Sequence, residues 1–495
     1  MSLSVFNALF AAAGFTLLVV LLRKRTHRLP LPPGPQGYPL IGNALDIPAK
    51  YPWLTYFEWS KTFGDVIHIS ALGQSIIILN SAEAISDLLE RKSSIYSDRP
   101  LPIMAGELVG YKDSPIMFQN GPRHREFRRL FSEVLSARKV KEWRPVQEPK
   151  VGSLLKGLAG SPIEFHEHIR LFVASLIFEL SHGHIVQDED DPLLKMAKQV
   201  DNDYSELVIP GNFLVDVFPF LRYVPEWTGV KFKRKAAQFR QTITEAVDWP
   251  YQQVKDQIAT GTALPSFTQN LIENTENLTK ENEKLFKWAA MVFFTAGADT
   301  SVSALSSFIL AMALHPEKQR KAQEEIDRLV GTERRPTFED RSQLPYVESI
   351  IKEVYRWNPV GPIAVPHKLS SDTTDEYRQW RIPKGSVVIA NSWAVMHNEE
   401  IYPSPFEFSP ERYLGRDPSG NQVNPDPRKF AFGYGRRVCP GQALADDTVY
   451  IAVVSILTLF NVGPLKSEDA PKYTPYLISH PEAFECDITP RTRVS

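Results

Sequence analysis

Cysteine is scarce in this 495-residue chain, which contains only Cys439 and Cys486. Two cysteines are too few for the disulfide framework of a small secreted protein or for a four-cysteine zinc site. The net charge of −2 provides no excess of positive charge for nucleic acid, which is therefore not expected as a partner. The chain also lacks internal repeats and low-complexity tracts. Its 43% hydrophobic and 23% charged residues predict a globular protein with a large core.

Charged residues are absent from the first 22 positions. As a helix, residues 3–22 would span about 30 Å, which is the thickness of the hydrocarbon core of a bilayer. The basic run 23–25 follows directly, and positive charge on that side predicts that the rest of the chain is cytosolic. A cleaved signal peptide is the alternative, but it would carry its positive charge before the apolar run. We predict a retained single-pass membrane anchor at residues 1–22.

Four prolines lie between positions 29 and 36, shortly after the basic cluster. Such a segment favours the stiff polyproline conformation, which can set the orientation of a domain on a membrane. The predicted organisation is therefore an anchor at 1–22, a basic and proline-rich hinge at 23–37, and a large folded domain at 38–495.

The segment 432–441, with the sequence FGYGRRVCPG, presents Cys439 as a candidate metal ligand. Gly435 and Gly441 allow the backbone to turn tightly and to approach a flat group without a Cβ in the way. Arg436 and Arg437 supply positive charge, which favours a thiolate over a thiol. The alternative is an inert buried cysteine, which is a common fate of a lone thiol.

This ten-residue segment resembles the haem-binding loop of the cytochrome P450 family, in which a cysteine thiolate is the axial ligand of the iron. The resemblance implies haem b as the cofactor and Cys439 as the residue that binds its iron. It also implies that Phe432 and Gly435 contact the cofactor. The expected fold is mainly α with a small β subdomain, placed behind the N-terminal transmembrane helix.

A long apolar segment at 281–314 predicts a central helix of about nine turns. It could be a second membrane span, but the acid Asp299 in its middle favours a buried core helix. The segment 296–300, with the sequence AGADT, resembles the oxygen-binding groove of the family. The resemblance implies that Asp299 and Thr300 deliver protons during catalysis. Alternatively, Thr300 bonds back to the carbonyl four residues earlier, and Asp299 is solvated or paired.

A short helix bracketed by Pro345 and Pro359 carries Glu353 and Arg356 on one face. The pair matches the Glu-x-x-Arg motif of the family, with Arg412 as the expected third member. By resemblance these residues hold the core beside the haem and take no part in the chemistry. An ordinary surface ion pair is the alternative.

The two propionates of a haem need cationic partners, and the resemblance proposes Arg128, His367 and Arg437. Many members of the family have tryptophan four residues before the first of these arginines, whereas this chain has His124. Histidine can also donate to a propionate, so His124 is a further candidate. The basic run around Arg128 could instead be a solvated helix face.

The substrate cavity is expected to draw on segments that are far apart in the sequence. Core packing is the alternative for every aromatic residue among them. By resemblance the segments are 101–119, 208–220, the central helix near Phe293 and Phe294, 360–365 and 473–478.

Several further stretches, among them 52–55, 232–236, 304–312 and 356–358, resemble a fungal microsomal branch of the family. Members of that branch, which is called O-methylsterigmatocystin-oxidoreductase-like, oxidise terpenoids, polyketides and indole amines. The implied function is a haem-thiolate monooxygenase of the endoplasmic reticulum membrane. Its substrate would be a small lipophilic secondary metabolite, and its electrons would come from an NADPH–cytochrome P450 reductase, with cytochrome b5 as a further candidate. Two alternatives remain open: an isomerase or dehydratase with the same fold, and a haem-binding protein without turnover.

Overall fold

Helices dominate the fold, as predicted. A computed structural model describes residues 29–188, 190–209, 211–225, 227, 229–331, 333–416 and 424–491. The predicted membrane anchor at 1–22 lies outside the described residues. The α-helices are α1 (Pro52–Phe63), α2 (Ala82–Ile85), α3 (Pro122–Leu135), α4 (Arg144–Gly160), α5 (Phe165–His182), α6 (Pro192–Leu207), α7 (Leu214–Val217), α8 (Lys231–Thr260), α9 (Phe267–Glu273), α10 (Lys280–Leu314), α11 (Pro316–Val330), α12 (Pro345–Trp357), α13 (Ser392–Met396), α14 (Arg428–Ala431) and α15 (Gln442–Leu459).

Short helical segments of other types connect these elements. Two are π-helical, at Ser86–Arg91 and Ile103–Val109. The 3₁₀ segments are Tyr111–Asp113, Pro115–Met117, Lys139–Trp143, Pro162–Glu164, Pro219–Tyr223, Phe338–Gln343, Pro410–Tyr413 and Gly435–Arg437.

The strands form three small sheets beside the helices. They are β1 (Val66–Ala71), β2 (Gln74–Leu79), β3 (His367–Lys368), β4 (Asp375–Tyr377), β5 (Trp380–Ile382), β6 (Val387–Ala390), β7 (Phe460–Leu465) and β8 (Cys486–Pro490). The largest sheet has the order β1-β2-β6-β3, in which β2 and β6 are parallel and the other pairs antiparallel. Strand β6 follows a turn at Gly385 and pairs with β2 on one side and β3 on the other.

The predicted central helix is α10, which begins one residue earlier than expected. Thr279 caps its N-terminus by accepting a hydrogen bond from the backbone N–H of Asn282, and His315-Pro316 ends it. Both α10 and α15 are long and apolar enough to cross a membrane, but 72% of the most apolar stretch of each is buried inside the protein. Both are therefore core helices, and the choice of a core helix over a second membrane span is confirmed.

The described part of the proline-rich segment lies against the sheets. The Pro33 carbonyl accepts a hydrogen bond from the backbone N–H of His68 at 2.9 Å, and the Pro30 carbonyl accepts one from Arg381 at 2.8 Å. A Cβ on Gly34 would lie only 2.0 Å from the His68 carbonyl oxygen, so the close approach requires glycine. Ordered contacts of the domain therefore extend upstream to Pro30, while the domain boundary at residue 37 stays a prediction.

A buried ion pair fastens α12 to the segment that precedes the cysteine loop. Arg356 donates to both carboxylate oxygens of Glu353, at 2.8 and 2.9 Å, and both side chains are fully buried. Arg412 is the third member, with its Nε 3.1 Å from Glu353 Oε1. The Tyr413 hydroxyl also donates to this carboxylate. The predicted group of three is confirmed, and its burial excludes an ordinary surface ion pair.

Candidate functional site

The cysteine loop connects α14 to α15 and is closed by a hydrogen bond of 2.7 Å from the Cys439 N–H to the Phe432 carbonyl. Gly433 and Gly435 both have positive φ angles, of 76° and 55°, which favour glycine. A Cβ on Gly435 would lie 2.1 Å from the Leu89 carbonyl oxygen. Close packing against the π-helical turn at 86–91 therefore requires glycine at this position, whatever else the loop binds.

The sulfur of Cys439 is exposed to a cavity of about 470 Å³. Although the residue borders this cavity, the protein atoms around the thiol desolvate it and raise its pKa. The backbone N–H groups of Gly441 and Gln442 and the charge of Arg128 lower that pKa. Those three groups stabilise a thiolate. The cavity is lined by Arg128, Ser132, Leu135, Ser136, Ala137, Arg428, Cys439, Pro440, Gln442, Ala443 and Asp446.

The predicted effect of Arg436 and Arg437 on the thiol is not what the structure shows. Arg128 of α3 is the cation that acts on the sulfur. The guanidinium of Arg437 instead donates to the backbone carbonyls of Ser97 and Phe118. The distinction was invisible in the sequence, because adjacency along the chain does not fix the direction of a long side chain.

Three buried or partly buried arginines, Arg99, Arg128 and Arg437, converge with the neutral His124 next to this loop. Burial, together with the charges of these three arginines and of Arg436, lowers the pKa of His124 to about 3. Burial and the charge of Arg437 lower the pKa of Arg99 to about 9. Burial lowers the pKa of Arg437 to about 10, with Arg128 contributing and Asp98 opposing. We call these four residues the cationic cluster.

None of the three arginines in this cluster forms an ion pair with a carboxylate among the residues that the structure describes. The buried Nε of Arg99 has no hydrogen-bond partner within the described part of the chain. The guanidinium groups of the three arginines donate to backbone carbonyls: those of Val365 and Pro366 for Arg99, Val438 for Arg128, and Ser97 and Phe118 for Arg437. Uncompensated buried charge is costly, so the cluster fits a ligand that brings its own carboxylates, as the two propionates of haem would.

His367 lies next to the cluster and is 1% exposed. Its Nδ1 lies 2.7 Å from the backbone carbonyl of Tyr96, so Nδ1 carries the proton and a neutral ring presents Nε2 as an acceptor. Burial and the charges of Arg99 and Arg437 hold its pKa well below the usual range, which favours the neutral ring. Donation to a propionate, as the sequence analysis expects, would require protonation of Nε2 and stays a prediction.

Arg99 was missed in the sequence analysis. It is 6% exposed and lies just before the segment 101–119, which was predicted to line the cavity. The only local signal is an arginine between Asp98 and Pro100, which is too common a pattern to indicate a ligand. The Phe432 carbonyl accepts from the Cys439 N–H, and its ring lies 5.4 Å from that of Tyr355, while its contact with the cofactor stays a prediction.

The middle of α10 is more exposed to solvent than the stretches directly before and after it. Residues 295–300 are exposed or half-buried, whereas 288–294 and 301–313 are buried. The Thr300 hydroxyl donates to the Ala296 carbonyl at 2.8 Å, and Asp299 Oδ2 lies 3.1 Å from His480 Nε2. These contacts have the form of the alternative considered for this pair, and they leave its role in proton delivery as a prediction.

The predicted cavity residues fall into two groups. Phe293 and Phe294 are buried in the core, where their rings pack against Phe131 and Phe178, so core packing is correct for both. The segment 360–365, in contrast, is joined to the residue that follows 473–478, because the Ser479 N–H donates to the Val360 carbonyl. In the 208–220 segment, the exposed apolar side chains are Leu214, Phe218 and Phe220.

Comparisons with known proteins agree with this site. The family model described as Cytochrome P450 matches residues 32–486. Among curated proteins, the chain is 39% identical to cytochrome P450 monooxygenase claR of Ampulloclitocybe clavipes, over 97% of this chain and 90% of that one. It is 41% identical to cytochrome P450 monooxygenase COX2 of Coprinopsis cinerea, over 93% and 89% of the two chains. It is 39% identical to tryptamine 4-monooxygenase of Psilocybe cyanescens, over 95% of each.

These relatives are monooxygenases, which favours that activity over an isomerase or a haem protein without turnover. The free cysteine held by a glycine-rich loop and the cationic cluster beside it suit the cofactor of that family, a haem whose iron is bound by cysteine. The chain belongs to the cytochrome P450 family and is a haem-thiolate monooxygenase.

Proposed function

We propose that Cys439 is the axial ligand of haem b and that the cationic cluster binds the haem propionates. Cys439 is the one of the two cysteines that lies in the open site, since Cys486 is buried in strand β8. The observation that carries the proposal is the cationic cluster, which lacks carboxylate partners of its own and includes Arg128, the cation that acts on the sulfur. Arg437, Arg128 and His124 would hold the propionates together with Arg99, and Phe432 and Gly435 would shape the loop around the ligand.

Haem supplies the iron at which one atom of dioxygen is reduced to water and the other is inserted into a substrate. The protein must supply two protons to that reaction while keeping bulk water out. Asp299 and Thr300 are the groups that we propose for this task, since they lie in the open part of α10. The Thr300 hydroxyl donates to the Ala296 carbonyl, and its oxygen can still accept a hydrogen bond from a proton donor.

The proposed substrate is a small lipophilic secondary metabolite of terpenoid, polyketide or indole type. Similarity to fungal monooxygenases, one of which is named for tryptamine, supports this range. The proposed electron donor is an NADPH–cytochrome P450 reductase, with cytochrome b5 as a further candidate. The proposed location is the endoplasmic reticulum membrane, with residues 1–22 as anchor and the catalytic domain in the cytosol.

The ligand assignment is tested by Cys439→Ala in the full-length protein, with Cys486→Ala as the matched control. The first variant should lose the reduced carbon-monoxide band typical of a haem thiolate and all NADPH-dependent turnover, because no other thiol lies in the open site. The control should keep both. A Cys439→Ala variant that retained the band would disprove the assignment.

The reaction and substrate class are tested in microsomes that contain this protein and a fungal reductase. Terpenoids, polyketides and indole amines are supplied with and without NADPH, and products are measured by mass spectrometry. A product heavier by one oxygen, formed only with NADPH, is the expected result. A product of unchanged mass that forms without NADPH would instead indicate an isomerase.

A further inference from the structure

Three side chains on one face of α10 hold the loop formed by residues 473–481. Asp299, Ser303 and Ser307 are spaced four residues apart, so they lie above one another on the helix. Asp299 contacts His480 at 3.1 Å, Ser303 donates to the Ser479 carbonyl at 2.6 Å, and Tyr473 donates to Ser307 at 3.3 Å. The open stretch of the central helix is therefore joined to a loop that lies about 180 residues further along the chain.

The contacts of Ser303 and Ser307 are structural. Ser303, Ser307 and Ser479 are at most 1% exposed, so their hydrogen bonds serve to satisfy buried polar groups. The contact between Asp299 and His480 differs, because their side chains are 38% and 26% exposed. Both groups can exchange protons, and Asp299 lies in the open stretch 295–300 in the middle of α10.

The backbone that carries the His480 ring is held by hydrogen bonds within its own turn. The His480 N–H donates to the Thr474 hydroxyl at 3.0 Å, and the His480 carbonyl accepts from the Thr474 N–H at 2.8 Å. A bridge between Tyr473 and Pro481 closes the same turn. A histidine carried by so constrained a turn can hold a carboxylate in one orientation without being reoriented itself.

Asp299 has no other ion-pair partner among the residues that the structure describes. Its charge acts on Asp201 of α6, whose pKa is raised to about 8 by burial and by the Asp299 charge. Near neutral pH, Asp201 is therefore largely uncharged and cannot order Asp299 by repulsion. His480 is left as the group that determines where the Asp299 carboxylate points.

We infer that His480 is a positioning residue for proton delivery. It holds one carboxylate oxygen of Asp299 and leaves the other free beside Thr300, in the exposed middle of α10. This inference rests on the proposed role of Asp299. The His480 ring need not pass a proton itself; a hydrogen-bond donor at the position of Nε2 is sufficient.

The inference can be tested without knowing the substrate. In the substrate-free, haem-loaded, full-length enzyme with its reductase, NADPH is consumed in two ways. One NADPH, one O2 and one proton give one H2O2 and NADP⁺; two NADPH, one O2 and two protons give two waters and two NADP⁺. The second route needs an additional proton at the oxygen, so the yield of H2O2 per NADPH reports proton delivery.

His480→Ala should lower the ratio of water to H2O2 by about tenfold, the factor that corresponds to one hydrogen bond to a charged group. His480→Gln should restore most of it, because its amide can reach the place of Nε2, whereas His480→Asn places its amide too close to the backbone. In the Asp299→Asn background, His480→Ala should have no further effect.

Ser303→Ala is the matched control, since it removes the adjacent contact to the same loop without touching Asp299. Hydrogen–deuterium exchange over residues 473–481 provides a measurement that does not depend on turnover, and it should be unchanged in His480→Gln. If Ser303→Ala lowers the ratio as much as His480→Ala does, or if His480→Gln fails to restore it, His480 acts only on the loop and the inference is wrong.

The controls also separate this inference from the proposal on which it depends. If Asp299→Asn keeps the wild-type ratio while the haem-thiolate band is intact, the proposed role of Asp299 fails, and the inference fails with it. If Asp299→Asn lowers the ratio and His480→Ala does not, the role of Asp299 stands and only the inference about His480 is overturned.

Discussion

Two groups of buried cations in this protein are compensated in different ways. Around Glu353, the guanidinium groups of Arg356 and Arg412 share one carboxylate that belongs to the same chain. In the cationic cluster, the arginines have backbone carbonyls as partners and no carboxylate among the described residues. The first group is complete as the chain folds, whereas the second, under the proposal above, would be completed by the propionates of a bound haem. An internal counter-charge would then distinguish an arginine that holds the fold from one that holds a cofactor.

The largest effect on stability is expected at Glu353, whose carboxylate compensates two arginines. Glu353→Gln leaves Arg356 and Arg412 without a counter-charge at a fully buried position, so the free energy of unfolding should fall by about 3–5 kcal/mol. Chemical unfolding of the purified protein measures it. Glu58→Gln is the control: it removes an exposed pair with Lys61 and should cost at most about 1 kcal/mol. Equal effects of the two variants would contradict the distinction.

In the cationic cluster, removal of one charge should affect the haem-free protein and the binding of haem differently. Arg99→Gln removes a buried charge that has no carboxylate partner, so the haem-free protein should be no less stable than the wild type. Haem affinity should fall by about tenfold, because a charge-assisted hydrogen bond to a propionate is lost. Unfolding of the haem-free protein and the rate of haem transfer to a scavenging apoprotein measure the two effects.

The exposed Arg436 provides the control for this experiment, since its side chain makes a long hydrogen bond of 3.4 Å to Asn120 at the surface. Arg436→Gln should change neither quantity. An Arg99→Gln protein that is clearly less stable without haem would show that the carbonyl contacts of Arg99 already compensate its charge.

The smallest effect is a change in pH dependence. The folded-state pKa of His124 is lowered from 6.5 to about 3, so the unfolded chain binds a proton that the folded protein does not. The stability of the haem-free protein should therefore fall as the pH decreases from about 6.5 toward 3. His124→Gln should make this fall less steep, as measured by urea unfolding at several pH values.

Haem should reduce the contribution of His124, because its carboxylates offset the arginine charges that lower this pKa. His397 is the control: burial and the charge of Arg356 lower its pKa to about 3, at a place remote from the cluster. The contribution of His397 should be the same with and without haem. If haem leaves the contribution of His124 unchanged, the propionates are not held by the cluster.

Much of this architecture could be predicted from the sequence, because the informative residues are close together in it. Glu353 and Arg356 share a helix face by their spacing, and Cys439 is identified by the ten residues around it. The bounds of α10 follow from its apolar length and from the proline at its end.

What the sequence could not provide are contacts between distant segments. Arg99 meets the Val365 carbonyl across 266 positions, and His480 meets Asp299 across 181. No local pattern of charge or hydropathy encodes such a partner. The same limit applies at Cys439. Arg437 was expected to act on the thiol because it is two residues away in the sequence, whereas Arg128 from a distant helix does so.

The contact of Arg128 with the cysteine loop has a consequence for synthesis. Arg128 and the Val438 carbonyl, which it contacts, are 310 residues apart. At about 5–20 residues per second, the ribosome releases the loop tens of seconds after the helix that carries Arg128. With Cys439 as the proposed iron ligand, the nascent chain would have no thiolate for the iron during that interval. Haem capture would then be a late event that completes the fold and does not nucleate it.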